Sequence, residues 1–396
     1  MLIKTDKSYR SFLTATTVSA IGSFAFNFAF MSFLYFQTEN DKRFVALSQV
    51  FFVVGMLLGN LSGGVWGEKF EKRTLLQITE LIRVPIVLIM LLFSESIWVL
   101  LFLHGLKTYF AGISTPLKRA YINSTIASNN RSEANTGFTI SYSITQIIGP
   151  FLGTWIYSIV SDLKVLIVTD AITFLLSFAL MLTIRKSSSE TKMETKFFTD
   201  LKSAFNYLKG GLAHRGLFYR HTIVGFISGL LIPLVLPFCD EVLGEQEKFY
   251  GVLMALFGIG GILGAIINQK YLKKINSGKK ILYICLSEPI VLLSWIYTSN
   301  KYFNLIIFTF WGALFFARAT SQFNYISLNI KPEFNSRVSS LFDFVFTATN
   351  IIAVTFISIY GHLFTVQLFL SFIGAIYLIG NILTPFLANQ QELKNA

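Results

Sequence analysis

The chain has 396 residues, of which 53% are hydrophobic and only 14% are charged, and its mean hydropathy is +0.60. Together these values indicate an integral membrane protein and exclude an ordinary soluble enzyme. The formal net charge of +12 raises the question of a nucleic-acid partner, which the distribution of the charges along the chain argues against.

Long charge-poor runs follow one another along the chain and predict membrane-spanning helices. A helix needs about 20 mostly apolar residues to cross the hydrocarbon core, and twelve runs meet this requirement. The predicted spans are 11–36, 44–66, 75–94, 97–115, 138–160, 164–184, 217–239, 249–269, 281–299, 302–321, 340–361 and 364–387. The last two form one apolar run that is broken only at Tyr360-Gly361-His362.

The basic residues predict how these spans are oriented, because Lys and Arg concentrate in cytoplasmic loops. With the N-terminus in the cytoplasm, the outer loops contain only five of the 33 basic residues, namely Lys42, Arg43, Lys164, Lys248 and Lys301. We therefore predict a multi-pass protein of the cytoplasmic (inner) membrane with both termini in the cytoplasm. Its expected partners are the lipid bilayer and a small-molecule substrate, with no nucleic acid, and we expect it to work as a monomer.

Cysteine usage and the first apolar run limit the chemistry further. Cys239 and Cys285 lie in different predicted spans and are interpreted as packing residues rather than as a disulfide or a metal site. The first apolar run is too long for a cleavable signal peptide and is predicted to be a span. We expect no metal and no cofactor, with the proton gradient as the energy source.

The chain is predicted to form two halves of six spans each, joined by a cytoplasmic linker. From Phe197 the linker becomes amphipathic, which predicts a helix lying on the inner membrane surface. The predicted domains are an N-terminal six-helix bundle at 1–184, the linker at 185–216 and a C-terminal six-helix bundle at 217–396.

A weak internal repeat supports this division. Gly105 and Gly312 are separated by almost the same number of residues as Arg131 and Arg337. Transporters built from two such repeats place the substrate near the membrane midplane, at the interface of the repeats.

A glycine-led, charged turn separates the second and third spans. It runs from Gly63 to Arg73 and includes Gly64, Glu68 and Lys69. The spacing of these residues resembles the loop motif that follows the second helix of major facilitator superfamily transporters.

A second motif lies in the fifth span, where Gly149, Pro150 and Gly153 form a Gly-Pro-x-x-Gly pattern. Proline bends a helix, and the two glycines permit close contact with another helix. The pattern resembles the antiporter motif of exporters in the same superfamily. Together with the segment from Pro116 onward, it resembles the drug/metabolite efflux, macrolide-efflux-like branch.

The resemblance implies an all-α membrane protein with twelve transmembrane helices in two pseudo-symmetric six-helix bundles that work by alternating access. In this family the acid of the loop motif is thought to hold one access state, a role that the resemblance assigns to Glu68. This chain departs from the family pattern at Glu68, where Asp is usual, and at Glu71, where Gly is usual. Ser23 also stands where many relatives have Asp, and it cannot carry a proton.

Several charged residues lie inside predicted spans, where each costs about 2.5–3.5 kcal/mol and usually faces an interior pathway. The predicted substrate-binding residues are Lys107, His104, Arg83 and Arg318. Alternatives are open for each cation. Lys107 can form an ion pair with a carboxylate of another span, and Arg318, near the inner end of the tenth span, can snorkel to the headgroups. Arg83 can form a local pair with Glu80 at i,i+3.

Four carboxylates inside spans are candidates for proton coupling: Glu80, Asp170, Glu288 and Asp343. Asp343 is predicted in the first turn of the eleventh span. There it can instead favour the helix dipole or meet Arg337.

The predicted function is secondary export of a small amphipathic molecule by proton antiport. Cations inside the spans favour an anionic cargo, such as a carboxylate siderophore, over a neutral macrolide-like drug. A lysophospholipid flippase is a further transport alternative, and a membrane receptor or scaffold is the alternative without transport. An enzyme is not expected, since the sequence has no spaced metal cluster, nucleophile elbow or phosphate loop.

Overall fold

The computed structural model describes residues 5–187, 197–272, 275 and 277–387. All regular elements within these ranges are helices, which confirms the all-α prediction. The chain divides into two compact units, Met1–Glu194 and Thr195–Ala396.

Within its described residues the first unit contains six long helices. They are α1 (Lys7–Gln37), α2 (Lys42–Lys69), α3 (Lys72–Leu92), α4 (Ile97–Thr125), α5 (Arg131–Val160) and α6 (Leu163–Met181). Helix α1 packs against α5 and α6, α2 packs against α4, and α3 contacts both α4 and α6. The α2–α4 contact is close, because a Cβ atom on Gly59 would lie 2.9 Å from the Cα atom of Gly112. Small residues allow this approach in a membrane helix pair.

Aspartate caps begin several of these helices. The Asp6 side chain accepts a hydrogen bond from the Tyr9 amide, and Asp41 accepts one from the Arg43 amide. Asp162 does the same at the start of α6. Each cap satisfies a backbone donor that the first turn leaves without a partner, so these polar residues determine where the apolar runs become helical.

The second unit repeats the internal packing pattern of the first. Its helices are α7 (Phe197–Lys209), α8 (Leu212–Leu231), α9 (Val235–Glu241), α10 (Glu247–Lys270), α11 (Ser277–Ile296), α12 (Lys301–Asn329), α13 (Pro332–Tyr360) and α14 (Val366–Leu387). Helix α8 packs against α13 and α14, α10 packs against α12, and α11 contacts both α12 and α14. These contacts correspond one by one to those among α1–α6, as expected for an internal repeat.

Eleven helices within the described residues are long and apolar enough to cross a membrane. Helix α11 occupies the position of the ninth predicted span but is not one of the eleven. Its 20 residues include three charged side chains, Lys279, Lys280 and Glu288, so it carries more charge than an apolar span does.

The linker contains the predicted amphipathic helix, α7. Leu201 and Leu208 on its apolar face are buried in the second unit, in a cluster with Leu217 and Val338. Phe205 is 39% exposed. Part of the apolar face is therefore covered by protein, and contact with the membrane surface stays a prediction.

Two helix ends differ from the sequence prediction. Helix α12 continues to Asn329, so Arg318 lies about three turns before its end rather than near it. Helix α13 begins at Pro332, so Asp343 lies about three turns after its start rather than in its first turn. The predicted spans ended where the apolar runs ended, whereas the helices continue through polar residues beyond them.

Candidate functional site

Lys107 and Asp170 form an ion pair in the first unit. The Lys107 Nζ atom lies 2.8 Å from Asp170 Oδ2, and both side chains are buried. The same Nζ atom lies 3.6 Å from the ring centroid of Phe26, a cation–π contact that replaces part of the lost hydration. The structure therefore contains the ion pair that was the alternative to a free Lys107. Because both charges are removed from water, removing either one leaves the other uncompensated.

His104 precedes Lys107 by one turn of α4 and is fully buried. Its ring centroid lies 4.9 Å from that of Phe30 and 6.0 Å from that of Phe52. Neither ring nitrogen forms a hydrogen bond within the described part of the chain. His104 thus sits among aromatic rings, and its substrate role stays a prediction.

Glu80 and Arg83 form the local ion pair that their i,i+3 spacing suggested. The Ser19 hydroxyl donates to Glu80 Oε2 at 2.9 Å and accepts from Arg83 Nη2 at 3.1 Å. The Arg83 guanidinium also lies 4.1 Å from the ring centroid of Phe174 on α6. The pair therefore joins α1, α3 and α6. Sequence reasoning missed Ser19, because a serine in an apolar helix carries no distinctive signal.

Arg318 and Glu288 form a buried ion pair in the second unit. Arg318 Nε lies 3.1 Å from Glu288 Oε1 and 3.2 Å from Oε2. The Tyr377 hydroxyl also donates to Glu288 Oε2, so the group joins α11, α12 and α14. The snorkelling alternative for Arg318 is wrong, because its side chain is only 5% exposed. Tyr377 was missed, since one tyrosine in an apolar run is not distinctive.

Each unit contains a cavity, and the two cavities lie among helices that correspond to each other in the internal repeat. The first-unit cavity has a volume of about 230 Å³ and lies among α1, α2, α4 and α5. Two cations, Lys118 and Arg119, face it, and none of its described lining residues is acidic. Its lining residues are Thr16, Thr17, Ala20, Met56, Thr115, Lys118, Arg119, Phe138, Ser141, Tyr142 and Thr145.

Sequence reasoning missed Lys118 and Arg119 because the fourth span was predicted to end at residue 115, whereas α4 continues to Thr125. A helical periodicity could have found Lys118. It follows Lys107 by eleven residues, which is about three turns, so the two lie on a similar face of one helix.

The second-unit cavity is slightly smaller, about 190 Å³, and lies among α8, α12 and α13. Aromatic rings dominate its wall, and its one lining arginine is the paired Arg318. Asp343, predicted as a proton carrier, also faces it. Its lining residues are His221, Phe315, Arg318, Ala319, Gln322, Phe323, Ile326, Ser339, Phe342, Asp343 and Phe346.

Arg337, a predicted partner of Asp343, forms an ion pair with Asp200 of α7, with Nε 2.9 Å from Oδ1. This pair lies at the linker helix and not at the cavity. It therefore ties α7 to the beginning of α13, and the coupling role of Asp343 stays a prediction.

The Gly-Pro-x-x-Gly motif lies inside α5, with Pro150 in the helix interior. Gly149 and Gly153 face α1. A Cβ atom on Gly153 would lie 2.6 Å from the Cα atom of Ala25, so the close helix contact predicted for these glycines is present.

The loop motif is only partly described, because the side chain of Glu68 lies outside the described residues. Gly64 faces open space, and Lys69 is exposed in the last turn of α2. Arg73 Nη2 donates to the Leu182 carbonyl at 2.7 Å, at the C-terminal end of α6. A cation at this position is favourable for the exposed carbonyls of a helix end.

Glu71 forms several hydrogen bonds that stabilise the same loop. Its carboxylate accepts from the backbone amides of Arg73 and Thr74, which caps α3. It also accepts from the Ser187 amide and hydroxyl, both at 2.9 Å. Burial alone would raise the pKa of Glu71, but the hydrogen bonds from Ser187 and Thr74 lower it to about 2. The family departure at Glu71 is therefore a structural contact between the α2–α3 loop and the segment that follows α6.

Comparison with known proteins agrees with this architecture. The sequence-family model of the Major Facilitator Superfamily matches residues 12–354 of this chain. The uncharacterized MFS-type transporter YfmI of Bacillus subtilis (strain 168) is 23% identical over 358 residues, which cover 86% of this chain and 87% of the relative.

Solved structures show the same fold at low identity. The D-xylose-proton symporter matches with a TM-score of 0.72 and 14% identity, over 98% of this chain and 100% of that one. A bacterial homologue of the iron transporter ferroportin, in an inward-facing state, matches with a TM-score of 0.75 and 12% identity, over 96% of this chain and 98% of that one. The chain therefore belongs to the major facilitator superfamily, has its twelve-helix fold and is a multi-pass membrane transporter.

Proposed function

We propose that this transporter exports a small anionic metabolite, such as a carboxylate siderophore, in exchange for protons. It works by alternating access, as a monomer in the cytoplasmic membrane with both termini in the cytoplasm. The Gly149–Gly153 motif and its packing against α1 support the export direction, by resemblance to exporters.

The observation that carries the coupling proposal is the buried Lys107–Asp170 pair. Two opposite charges in an apolar helix bundle are tolerable only together. Protonation of Asp170 would neutralise the carboxylate and release Lys107 as an uncompensated cation. Binding of one proton therefore changes the net charge of the bundle interior. Proton exchange requires such a change between the protonated and the unprotonated state.

The same step links the proton to the cargo. In the released state Lys107 would attract an anion, with Arg83 and His104 nearby on α3 and α4. An anion and a proton would then compete within the first unit, and this competition is the basis of antiport.

Everted membrane vesicles test this proposal directly. A carboxylate siderophore outside the vesicles is expected to accumulate when the vesicle interior is acidified, and a pH-sensitive dye inside should report proton efflux. Asp170→Asn should abolish the dependence on the pH gradient, whereas Lys164→Gln, which changes an exposed cation in the first turn of α6, should behave like wild type. Absence of gradient-dependent flux for every anionic metabolite tested would refute the proposal.

A macrolide-like drug is a second candidate, because four phenylalanines line the second-unit cavity. Aromatic walls suit a neutral, apolar ligand. In that case flux of the drug would depend on the pH gradient, and a carboxylate would not compete with it.

A further inference from the structure

We propose that the first-unit cavity binds the carboxylate head group of a cargo that also carries its own hydrogen-bond donors, such as hydroxyl groups. Lys118 and Arg119 bind the carboxylate, and the threonine oxygens of the wall accept from the donors. This inference rests on the proposed export of an anion and adds the site and the chemistry of the head group.

The two cations are available to a ligand. No described side chain forms a hydrogen bond or an ion pair with Lys118 or Arg119, although both face the cavity. Lys118 is half-buried and Arg119 is exposed, so one can be enclosed around a ligand while the other stays in contact with water. Because none of the described lining residues is acidic, the two cations give the wall a positive charge that attracts an anion.

The hydroxyl groups of the wall point to donors on the ligand. Thr16 and Thr17 both donate to the Leu13 carbonyl, and Thr145 donates to the Tyr142 carbonyl at 2.7 Å. These protons are therefore used within the helices. The Thr17 oxygen is also in hydrogen-bond contact with the Ser141 hydroxyl. The oxygen atoms of Thr16 and Thr145 can still accept hydrogen bonds, so they complement N–H or O–H groups and not a further anionic oxygen.

The size of the cavity limits what it holds. Pockets for a whole drug-sized ligand usually have about 300–1,000 Å³, and this one has about 230 Å³. A head group fits, while the remainder of an amphipathic cargo must lie outside. Met56 and Phe138 form the apolar part of the wall against which the carbon atoms of the ligand can pack.

The second-unit cavity lacks these properties. Its Arg318 is already bound to Glu288, and Asp343 adds a negative charge to the wall. The two ring nitrogens of His221 are engaged with Gln322 and the Phe342 carbonyl. An anion would have to displace existing contacts there, whereas in the first unit it completes the coordination of two cations.

The first-unit site also has an electrostatic connection to the buried charges. Lys118 interacts with Glu80, and Ser19, which donates to Glu80, is the neighbour of the cavity residue Ala20. A bound carboxylate would compete with Glu80 for the charge of Lys118. The occupied cavity would thereby weaken the electrostatic attraction between Lys118 and Glu80.

Isothermal titration of the purified, detergent-solubilised protein tests the site without any need for transport. The probe is citrate, a hydroxycarboxylate, compared with tricarballylate, which has the same carboxylates and no hydroxyl, and with inorganic phosphate. Citrate should bind wild type, and Lys118→Gln should weaken it about tenfold or more, as expected for loss of a charge-assisted hydrogen bond. Arg119→Gln should weaken it less, because Arg119 is exposed. Lys118→Arg and Lys164→Gln should bind nearly as wild type does.

Three results would overturn the site: no citrate binding to wild type, equal binding to Lys118→Gln, or equal loss in Lys164→Gln. Tricarballylate binding as tightly as citrate would refute the role of the threonine oxygens. Tighter binding of phosphate than of citrate would refute the carboxylate assignment and identify a phosphate, free or on a lipid. Thermal unfolding of each variant checks that it is folded. Since the titration requires no gradient, citrate binding without flux would refute the transport proposal alone.

Discussion

The two halves of this transporter have the same helix packing but cavities of opposite character. The first-unit cavity contains two cations that no described side chain pairs with, and its wall is rich in hydroxyl groups. Four phenylalanines line the second-unit cavity, and its arginine is neutralised by Glu288. Both halves bury charges, so charge content alone does not distinguish them. The difference lies in which charges already have partners, and this decides which half can receive an anion.

The deep ion pairs, in contrast, are alike in the two halves. Lys107–Asp170 and Arg318–Glu288 each join helices of one unit, and all four side chains are at most 5% exposed. A buried pair is costly to form and more costly to break. We therefore expect both pairs to determine stability, and Lys118 to determine binding.

The largest expected effect comes from breaking the first-unit pair. Asp170→Asn leaves Lys107 buried without a counter-charge and should destabilise the protein by about 3–5 kcal/mol. The midpoint of thermal unfolding in detergent measures this loss. The double variant Lys107→Met/Asp170→Leu removes both charges and should recover most of the stability. A single variant that unfolds at the wild-type temperature would show that the pair is not formed.

Measuring stability and citrate binding for one variant in each half tests whether the two halves have different roles. Arg318→Gln should lower the stability by a few kcal/mol, because Glu288 stays buried, and should leave citrate binding unchanged. Lys118→Gln should do the reverse, with a stability change of about 0.5 kcal/mol or less and a loss of citrate binding. If Arg318→Gln weakened citrate binding as much as Lys118→Gln does, the contrast between the cavities would be wrong.

A smaller effect is expected at Glu71, which stabilises only the first half. Loss of a helix N-cap costs about 1 kcal/mol, so Glu71→Gln should lower the unfolding midpoint modestly at neutral pH. The native pKa of about 2 lies below the ordinary value of 4.5. The stabilisation is therefore complete above about pH 4.5 and is lost as the pH falls through the native pKa. The difference between wild type and Glu71→Gln should accordingly shrink on acidification, and a constant difference would contradict an ionised Glu71.

The smallest effect is expected for the Asp200–Arg337 ion pair, which links α7 to the beginning of α13 in the second half. Its side chains are 33% and 45% exposed, and such pairs contribute roughly 0–1 kcal/mol. Asp200→Asn should therefore change the unfolding midpoint less than Glu71→Gln does, and high salt should reduce the change further. A larger effect than at Glu71 would show that α7 stabilises the second unit more than its exposed ion pair suggests.

The sequence was most informative where the physical rule is local. Twelve apolar runs, the biased distribution of basic residues and the Gly-Pro-x-x-Gly motif predicted the helices, the all-α class and the superfamily, because the length of a span and the cost of a charge in lipid depend on neighbouring residues only. Helix ends were less predictable. Helices α4 and α12 continue past their apolar runs, and this extension moved Lys118 into a helix and Arg318 away from a helix end.

The partners of the buried charges could not be predicted from the sequence, because they lie on other helices. Lys107 was correctly identified as an unusual residue, but only helix packing decided that Asp170, 63 positions away, neutralises it. The same packing brought Ser19 to Glu80 and Tyr377 to Glu288, and it left Lys118 and Arg119 facing a cavity. The sequence by itself therefore determined that this is a membrane transporter and which charges are exceptional. The tertiary structure alone decided which of those charges are already neutralised, because the free energy of a buried charge depends on the atoms that surround it in space.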